Sequence, residues 1–351
     1  MTAAPVGVAL VGVGAFGEFC LAAFREMPEV LIAAVVDTDV PRAEHFAKEY
    51  GARAHSSLDA ALEDEQVEVV ALNTPPYLHG SQGLAVLRAG KHLFCEKPLA
   101  LTLAEGDELL QMVKARNVHL TVDYVMRRNA LWEAAAALRE SGVLGKLLHM
   151  DLANHAAGLN LPPQHWFWDK TRSGGIWIEH GVHFFDAFSW VAGTAGVIDA
   201  ARQFTRDDGA VDRVEALARY GDAAAHFYHG FDQSSATEQT TVRLTFEQGY
   251  LSLHEWVPTR LELLTPVAPE NVERFLPGSV TTARLPDGRA MLRAELVEGI
   301  SAVYRQCIQD GMRELTQAVR DPSRKLNVTG QHGMDSLRMA VDAEQASTGT
   351  I

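Results

Sequence analysis

Cysteine is scarce: Cys20, Cys95 and Cys307 are the only three in 351 residues. They lie far apart, are odd in number and have no C-x-x-C spacing, which argues against a disulfide framework and reads as reduced thiols in a cytoplasmic protein. Positive charge is also short. Lys and Arg total 31 against 45 Asp and Glu, a formal net charge of -14, and no basic run stands out. A nucleic acid or an anionic membrane surface would repel such a chain, so neither is expected as a partner. The uncharged stretch from Thr2 to Gly17 lacks a basic leading region and is interrupted by glycines, so it is expected to be the first strand and its loop rather than a signal peptide or a membrane span. Internal repeats and low-complexity tracts are missing too. What remains is an ordinary globular composition, 47% hydrophobic and 22% charged, with ample material for a core. The length exceeds what one core usually serves, so two domains are expected.

The most informative segment is Val6 to Gly17, VGVALVGVGAFG. A buried-strand run leads into Gly12, Gly14 and Gly17, and Asp37 closes the next apolar run, LIAAVVD. In such a fingerprint the first glycine permits the strand-to-helix turn. The second lets the backbone approach a pyrophosphate, and the third lets the helix pack close to the sheet. The following helix, opening around Ala15 and Phe16, offers backbone N–H groups and a positive dipole end to phosphate. Asp37 suits both ribose hydroxyls and would repel a 2′-phosphate, so the expected cofactor is NAD rather than NADP.

Strand then helix recurs along the first third. Val30–Asp37, Val67–Asn73, Lys91–Glu96 and Val118–Tyr124 read as buried strands. They alternate with helical stretches at 41–50, 78–89 and 103–116. Strands without polar alternation, each followed by a helix, imply a parallel sheet covered on both faces. Ligands of such a sheet bind beyond the carboxyl ends of its strands, where Asn73-Thr74-Pro75-Pro76 and Glu96-Lys97-Pro98 fall. Past Tyr124 the pattern becomes a helix at 130–140 and then alternating strands at 147–156, 214–220, 223–231, 241–246 and 250–256. A Gly/Pro-bearing aromatic segment at 157–175 reads as a loop over the site. Helical runs at 292–320 and 330–346 close the chain. The expected fold is α/β: a Rossmann dinucleotide-binding domain over 1–124, and an α+β domain with a large, mostly antiparallel open sheet over 125–351, whose closing helices pack back on the first domain.

Segment Ser173 to Gly193 has helical length and ends at glycine. In a regular helix Glu179 and His183, four apart, share one face that Asp186 and Trp190 continue. Oxidising an alcohol with NAD requires a base for the hydroxyl proton, and imidazole titrates near neutral pH. Glu179 then binds a substrate hydroxyl or tunes that imidazole, and Asp186 fixes its ring. A solvated face, a satisfied core histidine, and a metal site from Glu179, His180 and His183 are the alternatives. No cysteine is near and no further spaced ligand completes a metal set, so no metal is expected.

Five segments together resemble the Gfo/Idh/MocA family of NAD(P)-dependent oxidoreductases, which act mainly on sugars, cyclitols and their derivatives. They are VGVGAFG at 11–17, NTPPYLH at 73–79, KHLFCEKPLALT at 91–102, SGGIWIEHGVHFFD at 173–186 and the closing VTGQHGMDSLRMAVDAEQASTG, so the resemblance spans nearly the whole chain. It implies that Lys97 reaches the nicotinamide end of the cofactor and the substrate hydroxyl, that the Lys97–Pro98 peptide is cis, and that His183 is the base or proton relay. Glu179 stands where the family has aspartate, one methylene longer. The resemblance further places Asn73, Thr74, Pro75, His79 and Glu96 along the cofactor. Tyr124, Arg127 or Arg128, Asn154, His155, Trp166 and Trp168 fall towards substrate, one of the arginines pairing across domains. It implies a homodimer or homotetramer assembled through the exposed sheet face.

The expected activity is NAD-dependent oxidation of a secondary alcohol of a sugar, cyclitol or sugar derivative. The catalytic set is Lys97, His183 and Glu179. One alternative is a redox-neutral lyase or glycosidase that oxidises its substrate only transiently with tightly held NAD. Another is an NAD-responsive regulator without catalysis, which would have no chemical need for Lys97 and His183.

Overall fold

The computed structural model describes residues 4–349 and falls into two compact units. The first runs through Val125 and takes in residues 171–174 and 305–337. Its sheet has six strands: β1 (Val6–Val11), β2 (Val30–Val36), β3 (Arg53–His55), β4 (Val69–Leu72), β5 (His92–Cys95) and β6 (Leu120–Val122). They are all parallel, in the order β3-β2-β1-β4-β5-β6. Every residue of β1 and β4 is buried, as apolar runs without alternation require of strands covered on both faces. The order reverses between β1 and β4, and doubly wound sheets open a ligand crevice at that switch point.

Local chemistry sets the helices of this unit. Asp39 caps Val40–Tyr50 by accepting from the Arg42 N–H at 3.2 Å, and left-handed Gly51 ends it. Thr102 and Glu105 form a reciprocal capping box at the start of Leu103–Arg116, a device that satisfies two otherwise orphaned N–H groups. Small residues admit the chain's last helix, Gly330–Ser347: a methyl built on Gly106 would lie 2.7 Å from the Met334 sulfur, and one on Gly333 2.8 Å from Val122.

The second unit comprises residues 126–170, 175–304 and those from Arg338 on. It holds nine strands: β7 (Leu147–His155), β8 (Val197–Thr205), β9 (Val211–Tyr220), β10 (Ala223–Gly230), β11 (Gln239–Phe246), β12 (Gly249–His254), β13 (Arg260–Thr265), β14 (Ser279–Arg284) and β15 (Ala290–Glu295). Their order is β14-β15-β13-β12-β11-β7-β10-β9-β8. All neighbours are antiparallel except β7 and β10. Met150 and Leu152 of β7 and Phe227 of β10 are fully buried. His226 of β10 bridges Asp151 of β7 at 2.9 Å and Glu215 of β9 at 3.3 Å.

Two differences from the sequence reading have simple causes. Residues 292–295 belong to β15, and the helix read as 292–320 begins at Ile300. Ala290, Leu292 and Ala294 are buried alternately, a period of two that the following helical run masks. Strands β3, β8, β13 and β14 were not read at all. β3, β8 and β14 are edge strands, largely exposed, and so carry little hydrophobic signal, whereas the interior β13 buries Leu261 and Leu263 in a short alternation between turns. Among the described residues no helix is long and apolar enough to cross a membrane.

Candidate active site

In the first unit the fingerprint residues form the turn at the β1/β4 switch point. Gly12 has φ +87°, and a methyl there would lie 2.9 Å from the Asn73 carbonyl oxygen; only glycine accommodates both. Gly17 packs so closely that a methyl would fall 2.0 Å from the Gly12 oxygen. A methyl on Gly14 meets nothing within 4 Å, so the space ahead of the helix Ala15–Arg25 is open. Ala15, Phe16 and Gly17 form its first turn, whose N–H groups lack intrahelical acceptors. The Asn73 Nδ2 donor is buried beside this turn with no partner, while its Oδ1 takes the Cys20 thiol at 3.5 Å. Asp37 closes the crevice: its carboxylate accepts from the Val13 N–H at 3.0 Å and the Asp39 N–H at 2.8 Å, with an Arg42 guanidinium nitrogen 3.8 Å away. An open helix start, an unsatisfied donor and a carboxylate held at the adjoining strand end fit a dinucleotide.

Lys97 follows β5, and its peptide to Pro98 is cis, as the resemblance implies. Its backbone N–H donates to the Glu96 carboxylate at 2.5 Å. His79 is 1% exposed. Its Nδ1 lies 2.6 Å from the Pro98 oxygen and its Nε2 2.8 Å from the Thr74 oxygen. It therefore ties the Lys97–Pro98 turn to the end of β4, a positioning task. The Thr74 hydroxyl donates to Gln82 at 2.7 Å, and Pro75 leads into the short helix that continues as His79–Arg88.

In the second unit the helix that carries His183 does not begin as an α-helix. Trp177–Gly181 is a π-turn, with the Val182 N–H bonded to the Trp177 carbonyl five residues back; Val182–Ala192 then continues as α. Such wide turns concentrate at functional sites. His180 lies beside His183, three residues along, with ring centroids 5.9 Å apart, and the His180 Nδ1 lies 3.9 Å from the Glu179 carboxylate. His183 is 3% exposed. Trp256, which follows β12, stacks on His180 at 4.7 Å and meets His183 edge-on at 4.8 Å. His229 of β10 also packs edge-on against His180, at 5.4 Å. Burial, and after it the nearby His180, push the His229 imidazole well below its ordinary pKa, so it stays neutral. His180, His229 and Trp256 were not read as part of one cluster. His180 was considered only as a metal ligand, and the other two come from separate strands. Among the described residues no group of His, Cys, Asp and Glu is placed to hold a metal ion.

The remaining candidates are engaged as follows. The Tyr124 hydroxyl bonds Ser336. Asn154 is 2% exposed, accepts from Thr240 at 2.8 Å and lies 3.5 Å from the His229 Nδ1; it backs the imidazole cluster. His155 at the end of β7 packs on Tyr228. In the turn Trp166–Trp168 the middle ring, Phe167, is the buried one, 4.6 Å from Phe231. Trp168 is covered by Arg206 at 4.3 Å, and Trp166 is half-buried against His165. Arg127 donates through Nε and Nη2 to both oxygens of Asp186, at 2.7 and 2.8 Å, and Arg128 shares its turn. The Asp186 side chain is 2% exposed. Removing one partner of such a buried pair leaves an uncompensated charge, so Arg127→Met should cost about 3–5 kcal/mol of stability. The double variant Arg127→Met/Asp186→Leu should recover most of that. Chemical denaturation of the three proteins checks this, and a loss under about 1 kcal/mol in the single variant would rule the pair out as a structural anchor.

Comparison with known proteins gives the following. Residues 6–124 match the model of an oxidoreductase family with NAD-binding Rossmann fold, and residues 132–252 that of the GFO/IDH/MocA C-terminal domain. The chain is 30% identical to a 2,7-anhydro-N-acetylneuraminate hydratase of Mediterraneibacter gnavus over 188 residues, 54% of this chain and 50% of that protein. It is 27% identical to a trans-1,2-dihydrobenzene-1,2-diol dehydrogenase of Macaca fuscata fuscata over 331 residues, 88% of this chain and 96% of that protein. The chain thus spans about half the length of the relatives it matches at 30% identity. A solved levoglucosan dehydrogenase, in complex with NADH and levoglucosan, shares the fold with a TM-score of 0.84 at 18% identity, covering 99% of this chain and 98% of that one.

Proposed function

Because this chain belongs to the GFO/IDH/MocA oxidoreductase family, with its NAD-binding Rossmann domain, we propose that it oxidises a secondary alcohol of a sugar, cyclitol or sugar derivative. The observation that carries this reading is the switch-point crevice: the open start of the first helix, the unsatisfied Asn73 donor and Asp37 at the end of β2. Ala15, Phe16 and Gly17 would hold the pyrophosphate by backbone N–H groups and Asp37 the adenosine ribose. NAD, when bound, supplies the hydride acceptor. The imidazole of His183 takes the hydroxyl proton of the substrate, and the Lys97 ammonium stabilises the negative charge that develops on that oxygen. His79 and Glu96 orient Lys97 through the Pro98 turn. Glu179 accepts a hydrogen bond from a neighbouring hydroxyl. The substrate class is supported by relatives named 1,5-anhydro-D-fructose reductase and trans-1,2-dihydrobenzene-1,2-diol dehydrogenase.

The test is NADH formation across a panel of sugars, anhydrosugars and inositols, with Lys97→Ala as control. Turnover of at least one polyol, falling about a hundredfold or more in the variant, is expected from the loss of an electrostatic stabiliser. Unaltered turnover in Lys97→Ala, or no NADH with any member of the panel, would sink the net oxidation. The hydratase among the relatives favours a second reading with the same acid–base residues but no net redox change. Product formation without NADH accumulation, on protein that retains NAD through purification, distinguishes it.

A further inference from the structure

We propose that His180 is a positioning residue of this reaction: set between Glu179 and His183, it takes up the first proton that enters the imidazole cluster and so keeps His183 neutral at acidic pH. The inference rests on His183 being the base, as read above. Its grounds are geometric. His180 and His183, three residues apart and so neighbours on one helical face, are in ring contact at 5.9 Å, and the His180 Nδ1 lies 3.9 Å from the Glu179 carboxylate. Stacking on Trp256 and edge contacts with Phe231 at 5.1 Å and His229 at 5.4 Å fix the His180 ring.

Titratable groups set against His180 include Glu179 and His183 on its own helix and His229 on β10. Their environments differ enough to order the protons. His180 has a carboxylate beside it, which favours a cation there. His229 is 0% exposed and held neutral by burial, so it does not compete. His183 is 3% exposed, and a proton on it must enter against the charge already on His180. Two imidazoles in contact titrate as a coupled pair, in two separated steps. Trp256 touches both rings and limits their access to water, which preserves the coupling.

Histidine-labelled protein, titrated by NMR without substrate, tests this directly. In the wild type the His180 ring should protonate first, with His183 following about one pH unit lower or more. In His180→Phe, which keeps a ring against Trp256, the His183 titration should rise by about one unit. His180→Gln is the second variant should phenylalanine not fold, and the same rise is expected. The acid limb of kcat/KM, measured with a polyol from the panel, should rise by the same amount. A His183 titration unchanged in both variants, or His183 protonating before His180, would overturn the proposal. A moved titration with an unmoved acid limb would leave the coupling standing and take down the assignment of His183 as base.

Discussion

Replacement of His183 by alanine is expected to lower kcat by about 10²–10⁴-fold, the usual contribution of a positioned general base. NAD affinity should not change, because the residues expected to hold the cofactor belong to the first unit and His183 to the second. The variant should also fold. The truncated ring is small beside the surrounding wall of Phe184, Trp256 and His180, and the Arg127–Asp186 pair that anchors the same helix is untouched. The signature that separates loss of a base from loss of packing is the pH profile. With His183 gone, its acid limb should disappear from what activity remains, whereas a packing defect would lower the curve without reshaping it. Steady-state kinetics over a range of pH decide the matter. A kcat within about threefold of wild type would remove His183 from the mechanism, since no positioned base contributes so little.

Substitution of Asp37 by alanine should change cofactor choice more than any other single replacement in the first unit. The wild-type carboxylate does two things in the structure. It fixes the glycine turn by accepting the Val13 N–H, and it holds a guanidinium of Arg42 at 3.8 Å. Losing charged hydrogen bonds to a ribose at about 1.5–3 kcal/mol corresponds to roughly 10–100-fold weaker NAD binding. Removing the carboxylate also removes the repulsion of a 2′-phosphate and leaves Arg42 to meet it, an arrangement that accommodates NADP in this fold. The two changes act in opposite directions on the two cofactors, so the NAD-to-NADP affinity ratio should fall by more than about a hundredfold. Fluorescence titration with NADH and NADPH measures both affinities. An unchanged ratio would mean that Asp37 supports the turn and does not read the ribose.

How far these residues were legible in the sequence depended on chain separation. Gly12, Gly14, Gly17 and Asp37 lie on one strand–turn–helix–strand unit, so local backbone requirements, positive φ and close packing, leave their mark at fixed offsets. The placement of Lys97 at the end of a buried strand was legible for a similar reason, while the role expected of it came from the resemblance. In the second unit the signals weakened. The edge strands β8 and β14 expose most of their residues and so lack the periodic pattern that announces a strand. The structure engages the polar atoms of Tyr124, Arg127 and Asn154 with Ser336, with Asp186 and with the pair Thr240 and His229 respectively. Residue type says that a side chain bonds, but its partner is a property of the fold.

The sequence by itself determined the parallel sheet, its dinucleotide turn and the acid at the end of the second strand, because each depends on neighbours within a few residues. The environment of His183 was decided only by tertiary structure. Helical spacing already puts Glu179 and His180 beside His183; β10 contributes His229 and the segment after β12 contributes Trp256. No local pattern encodes that meeting. A wide turn costs backbone regularity that only surrounding packing offsets, and the rings that pack there are brought together by strand order rather than by spacing along the chain.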